Sequence, residues 1–302
     1  MTGSASPVYL IDGSSFIFRA FFALPPLTNS SGLPTQAIYG FTTMTLKFIK
    51  AYQPEYLLVV FDAGRETFRN RMYQDYKSNR PEAPPQLIPQ FPYIRKVLEA
   101  LHVPLLELKG FEADDLIATL ARHFTGRDTG VVVVSGDKDL MQLVNESVRL
   151  FDPMKEKWIG VPEVKKKFGV DPERVIEVMG LMGDAVDNIP GVKGIGEKTA
   201  VALIQRFQSL ENLFDHLDDL EKTGLKATDR IRKTLLEGKE AAFLSRDLAR
   251  VRTDAPIEVE LEQIRYRGLC DREKLRPLFA ELEFTKLLKA LDTENQGKTE
   301  LQ

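Results

Sequence analysis

Three short apolar runs, far apart in the chain, each end at an acid, and this pattern constrains the fold more than any other feature. Val8-Tyr9-Leu10-Ile11 runs into Asp12, Tyr56-Leu57-Leu58-Val59-Val60-Phe61 into Asp62, and Val131-Val132-Val133-Val134 through Ser135-Gly136 into Asp137. Short runs that are apolar on both faces read as fully buried strands. Helical spacing intervenes: Phe16 to Phe22, then Ala37, Phe41, Met44, Phe48 and Tyr52, then Leu116, Ile117, Leu120, Ala121 and Phe124. Strands alternating with helices predict an α/β fold, with a mostly parallel, Rossmann-like central sheet flanked by helices. In such a sheet the ligand site lies at the carboxyl ends of the strands, so strand-terminal acids meet at one edge. A single aspartate after a strand also serves simply to start a turn.

More acids gather near the third strand. Glu112-Ala113-Asp114-Asp115 opens the helix before it, and Asp137-Lys138-Asp139 follows it, ahead of a second helix expected from about Leu140. Positive helix ends favour ionised carboxylates, and crowded carboxylates need a cation between them. Oxygen-only ligands suit Mg²⁺ or Mn²⁺. The competing reading is that acids at helix starts are caps.

Composition narrows the chemistry. A chain of 302 residues, 43% hydrophobic, can bury a large core and is expected to hold two domains. Its apolar runs are only strand length, and Met1 to Pro7 lacks the pattern of a signal peptide. The lone cysteine, Cys270, fits a reducing compartment, and His102, His123 and His216 share no metal or triad spacing. Any catalysis therefore falls to carboxylates, Lys, Arg, Tyr and metal. The net charge of −3 does not exclude nucleic acid, because setting aside a carboxylate cluster leaves the rest of the chain positive.

Between Arg65 and Arg80, the cations Arg65, Arg69, Arg71, Lys77 and Arg80 alternate with Phe68, Tyr73 and Tyr76. Cations with interleaved aromatics suit a phosphate backbone with stacked bases, although a solvated charged helix has the same look. With the proline-rich run from Pro81 to Pro92, this stretch is expected to project as a mobile arch over about 65–92. Beyond it, a turn between short strands is expected from Leu150 to Ile159, and the chain then becomes helical. A helix through Met182 ends at Gly183-Asp184-Ala185-Val186-Asp187-Asn188, and Gly191-Val192-Lys193-Gly194-Ile195-Gly196-Glu197-Lys198 leads into the next. Glycines between helices can turn backbone N–H groups toward a phosphate. A Walker A loop fails because Glu197 separates Gly196 from Lys198-Thr199, and neither it nor a dinucleotide loop has its preceding strand. A helix-hairpin-helix fits, and a plain glycine turn is the competing reading. Ile257 to Leu261 alternates like a short strand, and Thr293 to Gln302 is polar enough to suggest a disordered tail. The expected domains are 1–170 (α/β), 171–290 (helical) and a tail over 291–302.

Taken together, Ile11-Asp12-Gly13-Ser14, Phe61-Asp62-Ala63, Tyr76 to Pro81, Gly110 to Asp115, Gly136 to Leu140 and Gly183 to Ala200 resemble one family. It is the 5′-nuclease (5′-3′ exonuclease) domain of bacterial DNA polymerase I, in the flap endonuclease superfamily. The motifs come in the family's order and cover about Val8 to Leu288. The resemblance implies a PIN-like sheet and a two-metal phosphodiesterase acting on nicked, 5′-flap or branched DNA. It further implies a monomer in the bacterial cytoplasm, nucleoid-associated, serving replication primer removal and DNA repair. Asp12, Asp62, Glu112, Asp114 and Asp115 would surround one Mg²⁺ (or Mn²⁺), and Asp137, Asp139, Asp184 and Asp187 the second, with Asp115 also counted as catalytic. Lys77 and Arg80 would act at the scissile phosphate, Tyr76 would stack on an unpaired base, and Arg19 would contact phosphate. Arg65 and Arg69 would lie in the arch. Gly191, Lys193, Gly194, Gly196 and Lys198 would hold the duplex, in this family often through K⁺. Ala185-Val186 departs from the small polar or acidic residues usual there, and no segment up to Gln302 would supply polymerase or proofreading activity. The alternatives are a non-catalytic DNA-binding homologue and an RNA-directed nuclease of the PIN type.

Overall fold

The computed structural model describes residues 6–127, 129–268 and 270–299. The chain begins with β1 (Val8–Asp12), α1 (Gly13–Ala23), α2 (Gln36–Tyr52), β2 (Tyr56–Val60), α3 (Phe68–Met72), α4 (Phe91–Ala100) and β3 (Leu105–Leu106). It continues with α5 (Ala113–Thr125), β4 (Val131–Val134), β5 (Val148–Asp152) and β6 (Lys157–Ile159). The remainder is helical: α6 (Val161–Phe168), α7 (Val175–Met182), α8 (Glu197–Phe207), α9 (Leu210–Asp215), α10 (Thr228–Glu237), α11 (Lys239–Ala249), α12 (Arg272–Glu281) and α13 (Thr285–Thr299). These elements form two compact units.

The first unit comprises Met1–Phe61, Glu82–Glu107 and Glu258–Gln302. Its strands β3, β2 and β1 are parallel neighbours, with Val8 opposite Tyr56 and Val59 opposite Leu105. Every residue of β1 is buried, as an apolar run on both faces requires. Asp12 ends that strand and caps α1, accepting from Ser15 N at 2.9 Å, so the turn into the helix is fixed by the acid itself. Gly13 follows because no side chain fits: a Cβ there would stand 2.4 Å from the Phe61 ring. The buried Gln90 amide oxygen accepts from Ala37 N at 2.8 Å and Ile38 N at 3.2 Å, satisfying the start of α2.

The second unit comprises Asp62–Pro81 and Leu108–Ile257. Here β4 and β5 are parallel, and β6 returns antiparallel to β5, as the expected turn after Leu150 requires. The mostly parallel α/β class is therefore the observed one. Val131, Val133 and Val134 are at most 1% exposed, and Leu116, Ile117 and Phe124 of α5 are likewise buried. Burying a side chain of this size stabilises the fold by about 1.5–3 kcal/mol.

Several expectations fail locally. Leu140 begins no α-helix; Asp139–Leu143 is a 3₁₀ turn, closed early by extended backbone at Val144. Ile257 to Glu260 form no strand, and Leu261–Ile264 is another 3₁₀ turn. Helix α13 extends to Thr299 through most of the stretch expected to be disordered, carried by the helix-forming run Lys286 to Leu291; residues 300–302 lie outside the described residues. The 65–92 stretch is not a uniform projection either, because Arg69, Tyr76, Leu87 and Gln90 are all buried.

Candidate active site

The acids of the second unit converge through the backbone. Asp62, just past the end of β2, accepts from Ala113 N at 2.8 Å, which brings it to the first turn of α5. Glu112 is the N-cap of that helix, and Asp114 and Asp115 occupy its first turn. Asp137 folds back to accept from Asp139 N at 2.9 Å, orienting the loop after β4. Asp184 and Asp187 sit in a turn after α7, closed by paired bonds between Asp184 and Ile189 of 2.9 and 2.8 Å. Asp12 and Arg19 belong to the first unit, where Asp12 is buried and Arg19 half-buried.

Segment 75–80 docks on the Asp184–Asn188 turn. Lys77 N donates to Asp187 O at 2.9 Å, Asn188 Nδ2 to Asp75 O at 2.7 Å, and Asn79 Nδ2 to Ala185 O at 2.7 Å. Lys77 and Asn188 both adopt left-handed backbone, with φ of 54° and 55°. This is uncommon for Lys, so the docking holds a conformation the local chain would not choose.

The result is two ammonium seats, each shared by carboxylates from separate segments. Lys77 Nζ lies 2.7 Å from Glu112 and 3.6 Å from Asp187, with Arg80 also on Asp187. Lys138 Nζ lies 3.0 Å from Asp139 and bonds Asp184. Burial works to depress both ammoniums, but their carboxylate partners outweigh it and hold them above the ordinary lysine value. Burial pushes the Asp139 carboxyl up to about 6, with Asp137 adding to the rise. Burial also opposes charge on Asp184, yet Lys138 and the Val186 N–H, at 2.8 Å, keep its carboxyl below the usual range.

Other nominated residues take different roles. Asp115 is fully buried and accepts from both Arg69 Nη atoms at 2.8 Å, from Arg252 N at 2.8 Å and from Glu112 N at 3.1 Å. With its lone pairs committed, it is a structural anchor and not a ligand or catalyst. Arg69, only 2% exposed, also donates to Leu248 O and Arg250 O, so it is not an arch cation. Tyr76 is 4% exposed, with its hydroxyl 3.3 Å from Glu112, and in this conformation presents no face to a base. Arg65 is exposed and bonds Pro81 O.

In the hairpin loop the glycines divide similarly. Gly191 (φ 61°) is buried, a Cβ there would stand 2.4 Å from Gly183 N, and its N–H donates to Ser245 Oγ at 2.8 Å. It builds the turn and is not open to a phosphate. Lys193, Gly194, Gly196 and Lys198 are exposed, and around a Cβ built on Gly196, the N-cap of α8, nothing lies within 4 Å. These four can meet an anion at a helix start.

Among the described residues, no group of three or more His, Cys, Asp or Glu is already gathered around one point. The donor chemistry nevertheless suits hard divalent ions: each seat offers oxygen ligands from separate segments and already holds positive charge, from Lys77 and Arg80 in one and Lys138 in the other. Sequence reasoning missed Lys138 as a partner of these acids, and it missed the Arg69–Asp115 pairing. Lys138 had a visible signal, a cation enclosed by two aspartates; the carbonyls at Leu248 and Arg250 had none.

The family model for the N-terminal resolvase-like domain of 5′-3′ exonucleases matches residues 7–169, and that for their C-terminal SAM fold matches residues 170–272. The chain is 42% identical over 285 residues to a 5′-3′ exonuclease of Aquifex aeolicus, covering 94% of this chain and 95% of that one. It is 44% identical over 289 residues to DNA polymerase I of Bacillus caldotenax, covering 94% of this chain but 32% of that protein. The chain thus spans about a third of the length of that polymerase. A flap endonuclease of bacteriophage T5, solved in a pseudo-enzyme-product complex with DNA and metal ions, shares the fold: TM-score 0.66 at 24% identity, over 80% of this chain and 88% of that one. Among the described residues, no helix is long and apolar enough to cross a membrane. With both domain models matched in order and the carboxylate-bearing segments inside them, the chain belongs to the 5′-3′ exonuclease family.

Proposed function

We propose that this protein is a structure-specific 5′-3′ exonuclease and 5′-flap endonuclease that hydrolyses DNA phosphodiesters with divalent metal ions. The observation that carries this reading is the pair of ammonium seats, Glu112 with Asp187 and Asp139 with Asp184. Asp62, Asp114 and Asp137, in the same unit, complete the ligand groups for two Mg²⁺ or Mn²⁺ ions. When bound, such ions lower the pKa of a water and offset charge at the reacting phosphate. The chain's own residues do the rest. Lys77 and Arg80, held beside the acids by segment 75–80, turn positive charge toward a phosphate once their carboxylates are engaged elsewhere. Exposed Arg65 and half-buried Arg19 steer the strand. Lys193, Gly194, Gly196 and Lys198 grip the duplex backbone, with K⁺ as a bridging charge.

The division of labour crosses the expected boundary: residues 1–170 carry most of the nuclease carboxylates, while 171–290 add Asp184 and Asp187 to the seats and hold DNA through the hairpin. The substrate is nicked, flapped or branched DNA, taken by a monomer in the bacterial cytoplasm at the nucleoid, in primer removal and repair. The test is a labelled 5′-flap DNA incubated with Mg²⁺. Wild type should cleave it, and Asp184→Asn should lose at least about 100-fold in rate while still binding the flap. Binding without cleavage by wild type contradicts the reading.

A further inference from the structure

We propose that Lys138 is an internal counter-ion for the Asp139–Asp184 seat, occupying it until a divalent ion displaces the ammonium. This inference rests on the metal-dependent reading above.

Lys138 joins two separate segments. Its Nζ lies 3.0 Å from Asp139 Oδ1, in the loop after β4, and bonds Asp184 Oδ2, in the turn after α7. The other Asp184 oxygen accepts from Val186 N at 2.8 Å, so Oδ2 is the one turned to the cation. Without a cation these acids and the adjacent Asp137 would repel one another across a partly dry site. An ammonium relieves that repulsion with three donors, but it cannot share the position with a divalent ion, because the two positive charges would stand within a few ångströms of each other.

The side chain is also able to leave. It is 33% exposed, on a flexible four-carbon stem, whereas the Arg69 side chain is 2% exposed and bound on every side. Lys138 therefore behaves as a removable staple: it holds the two segments together in the metal-free protein and yields when the divalent ion takes over the same oxygens.

The experiment titrates Mn²⁺ into the full chain without DNA, counts free ion by electron paramagnetic resonance, and records thermal melts in EDTA and in Mn²⁺. The variant is Lys138→Met, which keeps the stem and removes the charge. Lys167→Met is the control, because that exposed lysine feels Asp137 and Asp139 without bonding either. Lys138→Met should bind one Mn²⁺ about tenfold tighter than wild type, the size of effect one adjacent charge has on a carboxylate site. It should also melt lower in EDTA and recover in Mn²⁺. Lys167→Met should change affinity less than about threefold, since an exposed charge is screened. Equal gains in the two variants, or an unchanged or weaker affinity in Lys138→Met, overturn the counter-ion role. If Lys138→Met is unfolded in EDTA, refolding on Mn²⁺ addition supports the staple and failure to refold overturns it. Absence of Mn²⁺ binding by wild type would instead sink the metal-dependent reading itself.

Discussion

Arg69 and Lys138 both sit on carboxylates near the start of a helical turn, yet the two clusters are built to opposite ends. Around Arg69, Asp115 accepts four bonds and the guanidinium reaches two backbone carbonyls, in a largely buried setting. Around Lys138 the cation is one-third exposed, and burial, with Asp137 close by, pushes the Asp139 carboxyl up to about 6. The first cluster is saturated and closed, while the second holds its charges in a balance that another cation can reset. Saturation and burial, more than residue type, separate the anchor from the working site.

The comparison breaks most severely at Arg69. Arg69→Ala strands a buried carboxylate, and urea denaturation should show a loss of about 3–5 kcal/mol. A loss below about 1 kcal/mol would mean that the pair is no anchor. Next in size is Lys77→Ala. In single-turnover assays on a 5′-flap, cleavage should fall about 100- to 1,000-fold while flap affinity stays within about twofold. Equal losses in rate and binding would assign Lys77 to DNA grip alone. The smallest effect belongs to Lys198→Ala at the hairpin, which should weaken duplex binding for every sequence and lower the salt-dependence slope by about one. An unchanged slope would remove Lys198 from the phosphate contacts.

Much of this architecture is legible along the chain. Val131 to Val134 is a strand because β-branched residues run without a polar break, and Asp12 both ends its strand and caps α1. Asp62 and Glu112 could be paired in advance only as strand-end and helix-start acids, and the Ala113 N–H makes the connection. What could not be read depends on remote partners. A five-residue helix with Arg69 and Arg71 looks like a solvated face until carbonyls from Leu248 and Arg250 arrive to receive Arg69. Asp114 and Asp115 are neighbours of one type, yet the helix turns Asp115 inward to Arg69 and leaves Asp114 half-buried. Gly191 and Gly196 look alike in the loop, but only Gly191 is closed against backbone.

The most direct test is a crystal of the protein with 5′-flap DNA and Mn²⁺, with the ions located by anomalous scattering. Mn²⁺ is predicted at Glu112 with Asp187 and at Asp139 with Asp184, with Lys77 and Lys138 moved off those oxygens and Asp115 still paired to Arg69. Mn²⁺ bound to Asp115, or Lys77 and Lys138 unmoved with no ion at either seat, would contradict the account.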